Sequence, residues 1–228
     1  MTNIELIKAA IPQATDIQAQ RFEHYMALLL EWNEKMNLTA ITDPNEVAQK
    51  HFADSILAME HIPQNARCID VGTGAGFPGV PLMIMREDIH MTLLDSLNKR
   101  LIFLEEVMKE LGLKAKIVHM RAEDGGRDPG FRGKYDIALT RAVTNTSAVL
   151  EWTTPFLKVG GKSLMYKGPK AEEELEAAAR ALTLLNCKAE VVTYDVPWGE
   201  RKVTIAQKTA PTPKQYPRKA GSAAKNPL

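Results

Sequence analysis

The 228-residue chain has few of the residues that mark specialised protein classes. Two cysteines, Cys68 and Cys187, are too few for a disulfide scaffold, and both lie in apolar, strand-like surroundings. The best apolar run, residues 26–30, is far shorter than the roughly 20 residues of a membrane span. The N-terminus has no basic segment followed by an apolar stretch, so we expect no signal peptide. These absences predict a cytoplasmic protein with reduced, buried cysteines and no metal site.

Neither sign of charge dominates, since the net charge is +1. The mixture of 45% apolar and 25% charged residues is typical of a globular protein with a hydrophobic core. The charges are nevertheless unevenly distributed, because residues 201–228 carry seven basic side chains and no acidic one, which leaves −6 on the first 200 residues. A basic tail on an acidic body suggests a polyanionic partner that the tail helps to hold. A solvated tail that merely aids solubility is the alternative.

The pattern divides the chain into three regions. Residues 1–64 form a predicted helical region, with one apolar face recurring from residue 15 and a second helix from residue 45 or 46 to 59. Residues 65–208 form the main predicted domain. Residues 209–228 hold four prolines without periodicity, so we expect an extended tail that orders only on binding.

Short apolar runs alternate with helical stretches through the main domain, which is typical of a parallel sheet with helices on both faces. We predict strands at 67–71, 91–95, 115–119, 135–140, 162–167, 188–195 and 201–207, and helices at 79–86, 97–111, 147–157 and 171–185. Only residues 196–200 join the last two strands, so these must pair antiparallel. The predicted fold is α/β: a seven-stranded, doubly wound, Rossmann-like sheet with a terminal antiparallel hairpin and an N-terminal helical extension.

A glycine-rich segment, IDVGTGAGFPG at residues 69–79, directly follows the first predicted strand. Glycines such as Gly72 and Gly74 let the backbone turn sharply and approach a ligand at the carboxyl edge of the sheet. Their Gly-x-Gly-x-Gly spacing departs from the Gly-x-Gly-x-x-Gly of dinucleotide-binding loops. Asp70 would repel a pyrophosphate but suits an ammonium group. The loop therefore favours S-adenosylmethionine over NAD, and a glycine turn that binds nothing is the alternative.

Two further positions fit that cofactor. Asp95 ends the second predicted strand, where a carboxylate can accept hydrogen bonds from both hydroxyls of a ribose. Residues 120–124 follow the third strand, where a turn borders the adenine in this architecture. An acid at that turn is equally typical of a helix cap.

The segment after the fourth strand, residues 139–142, bears on the reaction. Its sequence, LTRA, lacks the Asn-Pro-Pro-Tyr or Asp-Pro-Pro-Tyr expected for methylation of an exocyclic base amine. Neither cysteine is placed to attack a pyrimidine ring. A ring nitrogen with a free lone pair, such as guanine N7, needs alignment and electrostatics more than a general base. No catalytic residue is assigned from the sequence.

Basic residues stand at three adjacent strand ends: Arg121, Arg141 and Lys167. Together they would line one cleft that suits a phosphate backbone or the acceptor edge of a guanine. Alternatively each pairs with a neighbouring acid, and Arg141 could brace the loop around Asp70. In the N-terminal region, residues 37–39 (NLT) could end a helix, Trp32 is interpreted as core, and His51 with Asp54 as a hydrogen-bonded pair.

Several motifs occur in an order that resembles the bacterial RsmG family, also called glucose-inhibited division protein B. They are WN at 32–33 with NLT at 37–39, His51 with DS at 54–55, residues 70–79, LLDS at 93–96, RAE at 121–123, RA at 141–142, KG at 167–168 and YPRK at 216–219. The resemblance implies an S-adenosylmethionine-dependent methyltransferase that modifies guanine N7 in small-subunit (16S) ribosomal RNA.

The resemblance also implies roles for particular residues. It assigns the cofactor to Gly72, Phe77, Ala122, Glu123 and Arg141, with Asp95 at the ribose. It assigns RNA or base contacts to Arg121, Lys167 and Arg218.

The partner implied is small-subunit ribosomal RNA or an assembling small subunit, met by a monomer without membrane contact. A small-molecule methyltransferase, a non-catalytic ribosome-binding module and a dehydrogenase remain as alternatives.

Overall fold

A computed structural model describes residues 1–141 and 144–228, and its centre is a single seven-stranded sheet. The strands are β1 Arg67–Val71, β2 His90–Asp95, β3 Lys116–His119, β4 Tyr135–Arg141, β5 Leu157–Lys167, β6 Cys187–Val196 and β7 Gly199–Lys208. They lie in the order β3-β2-β1-β4-β5-β7-β6, and β7 runs antiparallel to both of its neighbours while the other pairs are parallel. The predicted α/β fold with its terminal hairpin is confirmed.

Helices cover both faces of the sheet and pack with it into three apolar clusters. Their bounds are α1 Asn3–Ala10, α2 Asp16–Met36, α3 Pro44–Glu46, a π-helix Val47–Ala53, α4 Asp54–Ile56, α5 Gly79–Met85, α6 Asn98–Leu111, α7 Ala122–Arg127, α8 Thr146–Thr153, α9 Ala171–Ala177, α10 Ala179–Leu184 and α11 Ser222–Lys225. Helices α2, α5 and α6 pack together, whereas α7, α8 and α10 belong to the other face.

The structure departs from the predicted elements where glycine and proline hide or end them. Strand β5 begins at Leu157 rather than 162, because Gly160 and Gly161 conceal its first half in the sequence. The helix predicted over 147–157 ends at Thr153, ahead of Pro155. Helices α1 and α7 were not predicted, the helix over 171–185 is divided at Ala178, and the second N-terminal helix contains the π-helical stretch.

The N-terminal helices share one hydrophobic core with the sheet. Phe52 lies 4.9 Å from Phe22, 5.3 Å from Tyr25 and 6.2 Å from Phe77, measured between ring centroids, and all four side chains are buried. Trp32 packs on a neighbouring phenylalanine of α6, as its interpretation as a core residue requires. The predicted boundaries at residues 64 and 208 therefore separate consecutive parts of the chain. That these parts are separate domains stays a prediction.

The C-terminal tail is folded onto the body, so the expectation that it orders only on binding is wrong for this structure. Tyr216 and Ala223 are buried, and α11 forms within the tail. The guanidinium of Arg132 donates to the carbonyls of Thr212, Pro213 and Tyr216, with donor–acceptor distances of 2.8 to 3.3 Å. Charged groups on the body thus supply hydrogen bonds to a segment whose proline-rich backbone cannot form a ladder of its own.

Within residues 1–141 and 144–228, none of the helices combines the length and the apolar character needed to cross a membrane. Cys68 and Cys187 are both buried free thiols. Burial raises the pKa of Cys68 to about 12 and that of Cys187 to about 11. Neither side chain is therefore a ready thiolate nucleophile.

The shared core predicts that Phe52→Ala destabilises the whole protein. Removing a fully buried phenylalanine leaves a cavity, which lowers the free energy of unfolding by about 3–5 kcal/mol. Urea denaturation followed by circular dichroism measures this loss, and Ile17→Ala at a 64% exposed position should change stability by less than about 0.5 kcal/mol. Separate transitions for the helices and the sheet would contradict the shared core.

Candidate cofactor site and acceptor cleft

The Asp70 carboxylate joins the two ends of the glycine loop. Its Oδ2 accepts a hydrogen bond from the Thr73 hydroxyl at 2.8 Å and from the Gly79 amide, the first residue of α5, at 2.9 Å. A β-carbon at Gly79 would lie 2.8 Å from the same oxygen, so glycine is required for this approach. These two hydrogen bonds, here called the Asp70 clasp, fix the path of the loop.

Burial governs the charge of Asp70. The side chain is fully buried, which raises its pKa to about 7 against the opposing effects of the Thr73 and Gly79 hydrogen bonds. Its Oδ1 has no hydrogen-bond partner among the described residues. The sequence argument that Asp70 meets an ammonium group directly stays a prediction, and the structure adds the role of holding the loop.

A second buried carboxylate, Asp95, holds the middle of the loop. Its Oδ2 accepts from the Gly74 amide at 2.9 Å, and its Oδ1 accepts from the Leu97 amide at 2.8 Å. Arg100 approaches the same side chain at 3.5 Å. Both carboxylate oxygens of Asp95 therefore already accept hydrogen bonds. Its contact with a ribose stays a prediction, and that contact requires a ribose hydroxyl to replace the Gly74 or the Leu97 amide.

An open cleft of about 310 Å³ lies beyond the carboxyl ends of β1, β2 and β3, and we call it the cofactor cleft after the role proposed for it below. It is the ligand position expected of an open parallel sheet. Its wall is mostly apolar, with backbone of the glycine loop and of the α7 start. The lining residues are Val71, Gly72, Leu94, Ser96, Met120, Arg121, Ala122, Glu123, Trp152, Gly221 and Ala224.

The eight predicted cofactor residues fall into two groups. Gly72, Ala122 and Glu123 line the cleft itself. The other five support the loop or stand beside it: Asp70, Gly74, Phe77, Asp95 and Arg141. The predicted residues therefore lie in the cleft, in its glycine loop or beside that loop, and which of these side chains touches a cofactor remains a prediction.

Phe77 packs against a neutral and a charged side chain that are bonded to each other. The His51 ring stacks on it with centroids 4.5 Å apart, and the Arg141 guanidinium lies 4.9 Å from its ring centre. Arg141 also donates to His51 Nδ1 at 2.8 Å, and His51 Nε2 lies 2.7 Å from the Thr39 hydroxyl. Because Arg141 can only donate, His51 is neutral, with its proton on Nε2.

The interpretation of His51 and Asp54 as a hydrogen-bonded pair is wrong. His51 is bonded to Thr39 and Arg141, whereas Asp54 accepts from Trp198 Nε1 and from Arg201 Nε, each at 2.7 Å. The two side chains diverge because the π-helical turn that holds His51 ends just before Asp54. Each therefore attaches the N-terminal helices to a different part of the sheet. Asn37 does end α2 in the left-handed conformation, as predicted.

The three basic strand ends do not line one cleft, contrary to the expectation. Arg121 is exposed at the cofactor cleft. Arg141 and Lys167 line a different cleft of about 350 Å³ beside β4, β5 and β7. The cause is the sheet order, which puts β3 at one edge and β4 and β5 in the centre. Ala142, which completes the Arg-Ala motif, lies outside the described residues.

The charged side chains of this second cleft are engaged by other groups of the protein. Lys167 Nζ donates to Glu174 at 2.8 Å and to the Thr144 carbonyl at 2.6 Å. Asp54 pairs with Arg201, and Lys202 pairs with Glu200. The predicted RNA residue Arg218 is also paired, with the buried Glu151, and so is engaged inside the protein. The RNA contacts assigned to Arg121, Lys167 and Arg218 stay predictions.

Comparison with known proteins decides the family. A family model described as "GidB: rRNA small subunit methyltransferase G" matches residues 18–202. The chain belongs to the GidB family. The protein named Ribosomal RNA small subunit methyltransferase G from Lactococcus lactis subsp. lactis is 46% identical over 222 residues, covering 95% of this chain and 93% of that one. The protein of the same name from Clostridium perfringens is 47% identical, covering 92% and 90%.

Solved structures agree with the GidB assignment at the level of the fold. An O-methyltransferase from Bacillus cereus in complex with SAH has a TM-score of 0.58 at 13% identity, covering 82% of this chain and 91% of that one. A methyltransferase from Pyrococcus furiosus has a TM-score of 0.57 at 16% identity, covering 84% and 98%. The resemblance to the RsmG family, inferred from the motifs, is confirmed.

Sequence reasoning missed several residues that build the site. The cofactor cleft is also lined by Trp152, Gly221 and Ala224, which lie about 30 residues or more after β3 along the chain. Tyr25 donates its hydroxyl to the Ala75 carbonyl at 2.5 Å and so supports the loop from α2. No local motif marks them, because each reaches the site through tertiary packing.

The buried, neutral imidazole of His51 beside Arg141 predicts that stability depends on pH. Burial, followed by the Arg141 charge, lowers the pKa of His51 to about 4, below its ordinary 6.5. The stability that neutral His51 contributes is fully present above pH 6.5 and is lost as the pH falls from 6.5 towards 4. Between pH 7 and pH 5 the protein should lose about 2 kcal/mol through this group.

The measurement is urea denaturation across that pH range for the natural protein and His51→Gln. His51→Gln should lack this component of the slope, whereas His90→Gln, at an exposed histidine, should keep it. Identical slopes in all three proteins would contradict the assignment.

Proposed function

We propose that the protein transfers a methyl group from S-adenosylmethionine to N7 of a guanine in small-subunit ribosomal RNA. The observation that carries the proposal is family membership along nearly the whole chain, with relatives named for small-subunit ribosomal RNA methylation. Two clefts lie at the carboxyl edge of the one sheet, and we assign the first to the cofactor and the second to the acceptor.

The residues of the first cleft fit S-adenosylmethionine. Leu94, Met120 and Trp152 offer apolar walls to a flat heteroaromatic ring, and the start of α7 offers backbone amides to its edge. The unpartnered Oδ1 of Asp70, under the glycine loop, suits a cationic rather than a phosphate-bearing cofactor. When bound, the cofactor supplies an electrophilic methyl group on a sulfonium.

The second cleft supports a reaction without a general base. Its two carboxylates are engaged by cations, Asp54 by Arg201 and Glu200 by Lys202. Guanine N7 attacks with its own lone pair, so the residues here need to align the base rather than remove a proton from it. A hydroxyl acceptor, by contrast, must lose its proton in the reaction and needs a general base.

Basic residues around the acceptor cleft support a nucleic-acid substrate. It is lined by Lys50, Arg141, Arg201 and Lys202, and Arg121 is exposed at the cofactor cleft. Phosphates compete with the internal acids for these side chains, so RNA affinity should fall as salt rises. We place the protein in the cytoplasm as a monomer that meets RNA or an assembling small subunit without membrane contact.

The direct test supplies the purified protein with isotope-labelled S-adenosylmethionine and small ribosomal subunits from cells that lack the enzyme. The RNA is digested and its nucleosides are separated by mass spectrometry. We expect label in 7-methylguanosine, and excess S-adenosylhomocysteine should suppress it by competing for the cofactor cleft.

Other outcomes distinguish the alternatives. Label in another nucleoside would contradict N7 chemistry while keeping the cofactor. Binding of the cofactor without RNA labelling would favour a small-molecule methyltransferase or a non-catalytic ribosome-binding module.

A further inference from the structure

The C-terminal tail crosses the cofactor cleft after β7, and Gly221 and Ala224 form part of the cleft wall. We propose that residues 216–224, here called the tail wall, complete the cofactor site, with Arg218 as the positioning residue that seats them. This inference rests on the proposed function, because it assigns the cleft to S-adenosylmethionine. It gives the basic tail a role in holding the cofactor rather than RNA.

The first anchor of the tail wall is an ion pair with a buried acid. Glu151 of α8 is 0% exposed, and its carboxylate accepts from Arg218 Nε and a terminal guanidinium nitrogen at 2.7 to 3.1 Å. The same carboxylate accepts from the Arg218 backbone amide at 2.6 Å. A buried carboxylate without a cation is costly, so Glu151 requires Arg218 at this position. The pair fixes the backbone as well as the side chain.

The second anchor is formed by a residue of the cleft itself. Glu123, in the first turn of α7, accepts from the Gly221 amide at 2.9 Å and also lines the cleft. Gly221 has a φ of +82°, a left-handed conformation that favours glycine. The carboxylate therefore ties the tail wall to the turn where the adenine is expected. Any shift of the tail moves a cofactor-facing side chain.

Further contacts come from the end of α7 and from the segment that follows it. Arg127 donates to the Pro217 carbonyl at 2.9 Å, and Arg132 donates to the Tyr216 carbonyl at 2.8 Å. Gly126 lies so close to Pro217 that a β-carbon would stand 3.0 Å from the proline ring. These contacts form within the protein alone, so the tail wall is in place before any RNA arrives.

Two alanines of the tail offer a matched pair for the test. Ala224 and Ala220 are both exposed, but Ala224 lines the cleft and Ala220 does not. Ala224→Leu places a larger apolar side chain in the cleft and leaves the buried core unchanged, because Ala224 is exposed. Ala220→Leu places the same side chain outside the cleft. Titration calorimetry with S-adenosylhomocysteine and thermal denaturation of the unliganded proteins are measured for both variants.

We expect Ala224→Leu to weaken S-adenosylhomocysteine binding at least tenfold with an unchanged melting temperature, and Ala220→Leu to bind within twofold of the natural protein. In kinetics, Ala224→Leu should raise KM for S-adenosylmethionine and leave KM for RNA unchanged. Equal affinities in the two variants would overturn the tail wall. Failure of the natural protein to bind S-adenosylhomocysteine would instead refute the proposed function.

The positioning role of Arg218 needs a variant that leaves no buried charge unpaired. The double substitution Arg218→Leu with Glu151→Gln removes both charges. It should weaken S-adenosylhomocysteine binding at least fivefold, and RNA binding measured with saturating cofactor should stay within twofold. A loss of RNA affinity with unchanged cofactor affinity would overturn the proposal and return Arg218 to RNA binding.

Discussion

The bonds from Asp70 to Thr73 and Gly79 are the constraint on which the rest of the site depends. A glycine loop is free to adopt many backbone paths, and ordering it costs conformational entropy. One buried carboxylate oxygen selects a single path by accepting from both ends of the loop. The cofactor cleft then has a fixed floor, because the amides of Gly72 and Thr73 are held to β2 at the same time.

The N-terminal helices and the C-terminal tail extend that constraint in opposite directions. From one side, Tyr25, His51 and Phe77 brace the loop through aromatic packing and a hydroxyl bond to its backbone. From the other side, the Arg218–Glu151 pair carries the tail over the cleft. Residues of the N-terminal helices and of the C-terminal tail thus both contact the glycine loop or the cofactor cleft.

The sheet was predictable from local signals. Strand–helix alternation gives the parallel order, and the five residues between β6 and β7 dictate the hairpin. The glycine loop is recognisable because its motif is a run of consecutive residues, and Asp95 because it ends the next predicted strand. Helices α1 and α7 are absent from the prediction. In α7 the reason is local, because this short helix contains two glycines, which pack closely against Phe156 and Pro217.

What the sequence could not reveal was which charges neutralise each other. Arg218 and Lys167 have the composition of RNA-binding residues, but Glu151 and Glu174 lie 67 and 7 residues away along the chain and meet them only after folding. The same limit concealed the separation of His51 from Asp54, because a π-helical turn changes the spacing on which side-chain neighbours depend. Pairing of charges is a tertiary property, whereas the glycine loop is a local one.

The most direct measurement of this account is the affinity for S-adenosylhomocysteine of two variants at Thr73, determined by titration calorimetry. Thr73→Ser keeps the hydroxyl that donates to Asp70, and Thr73→Val replaces it with a methyl group of similar size. We expect the serine variant to bind within threefold of the natural protein and the valine variant to bind at least tenfold more weakly. Equal binding by both variants would contradict the claim that the Asp70 clasp shapes the cofactor site.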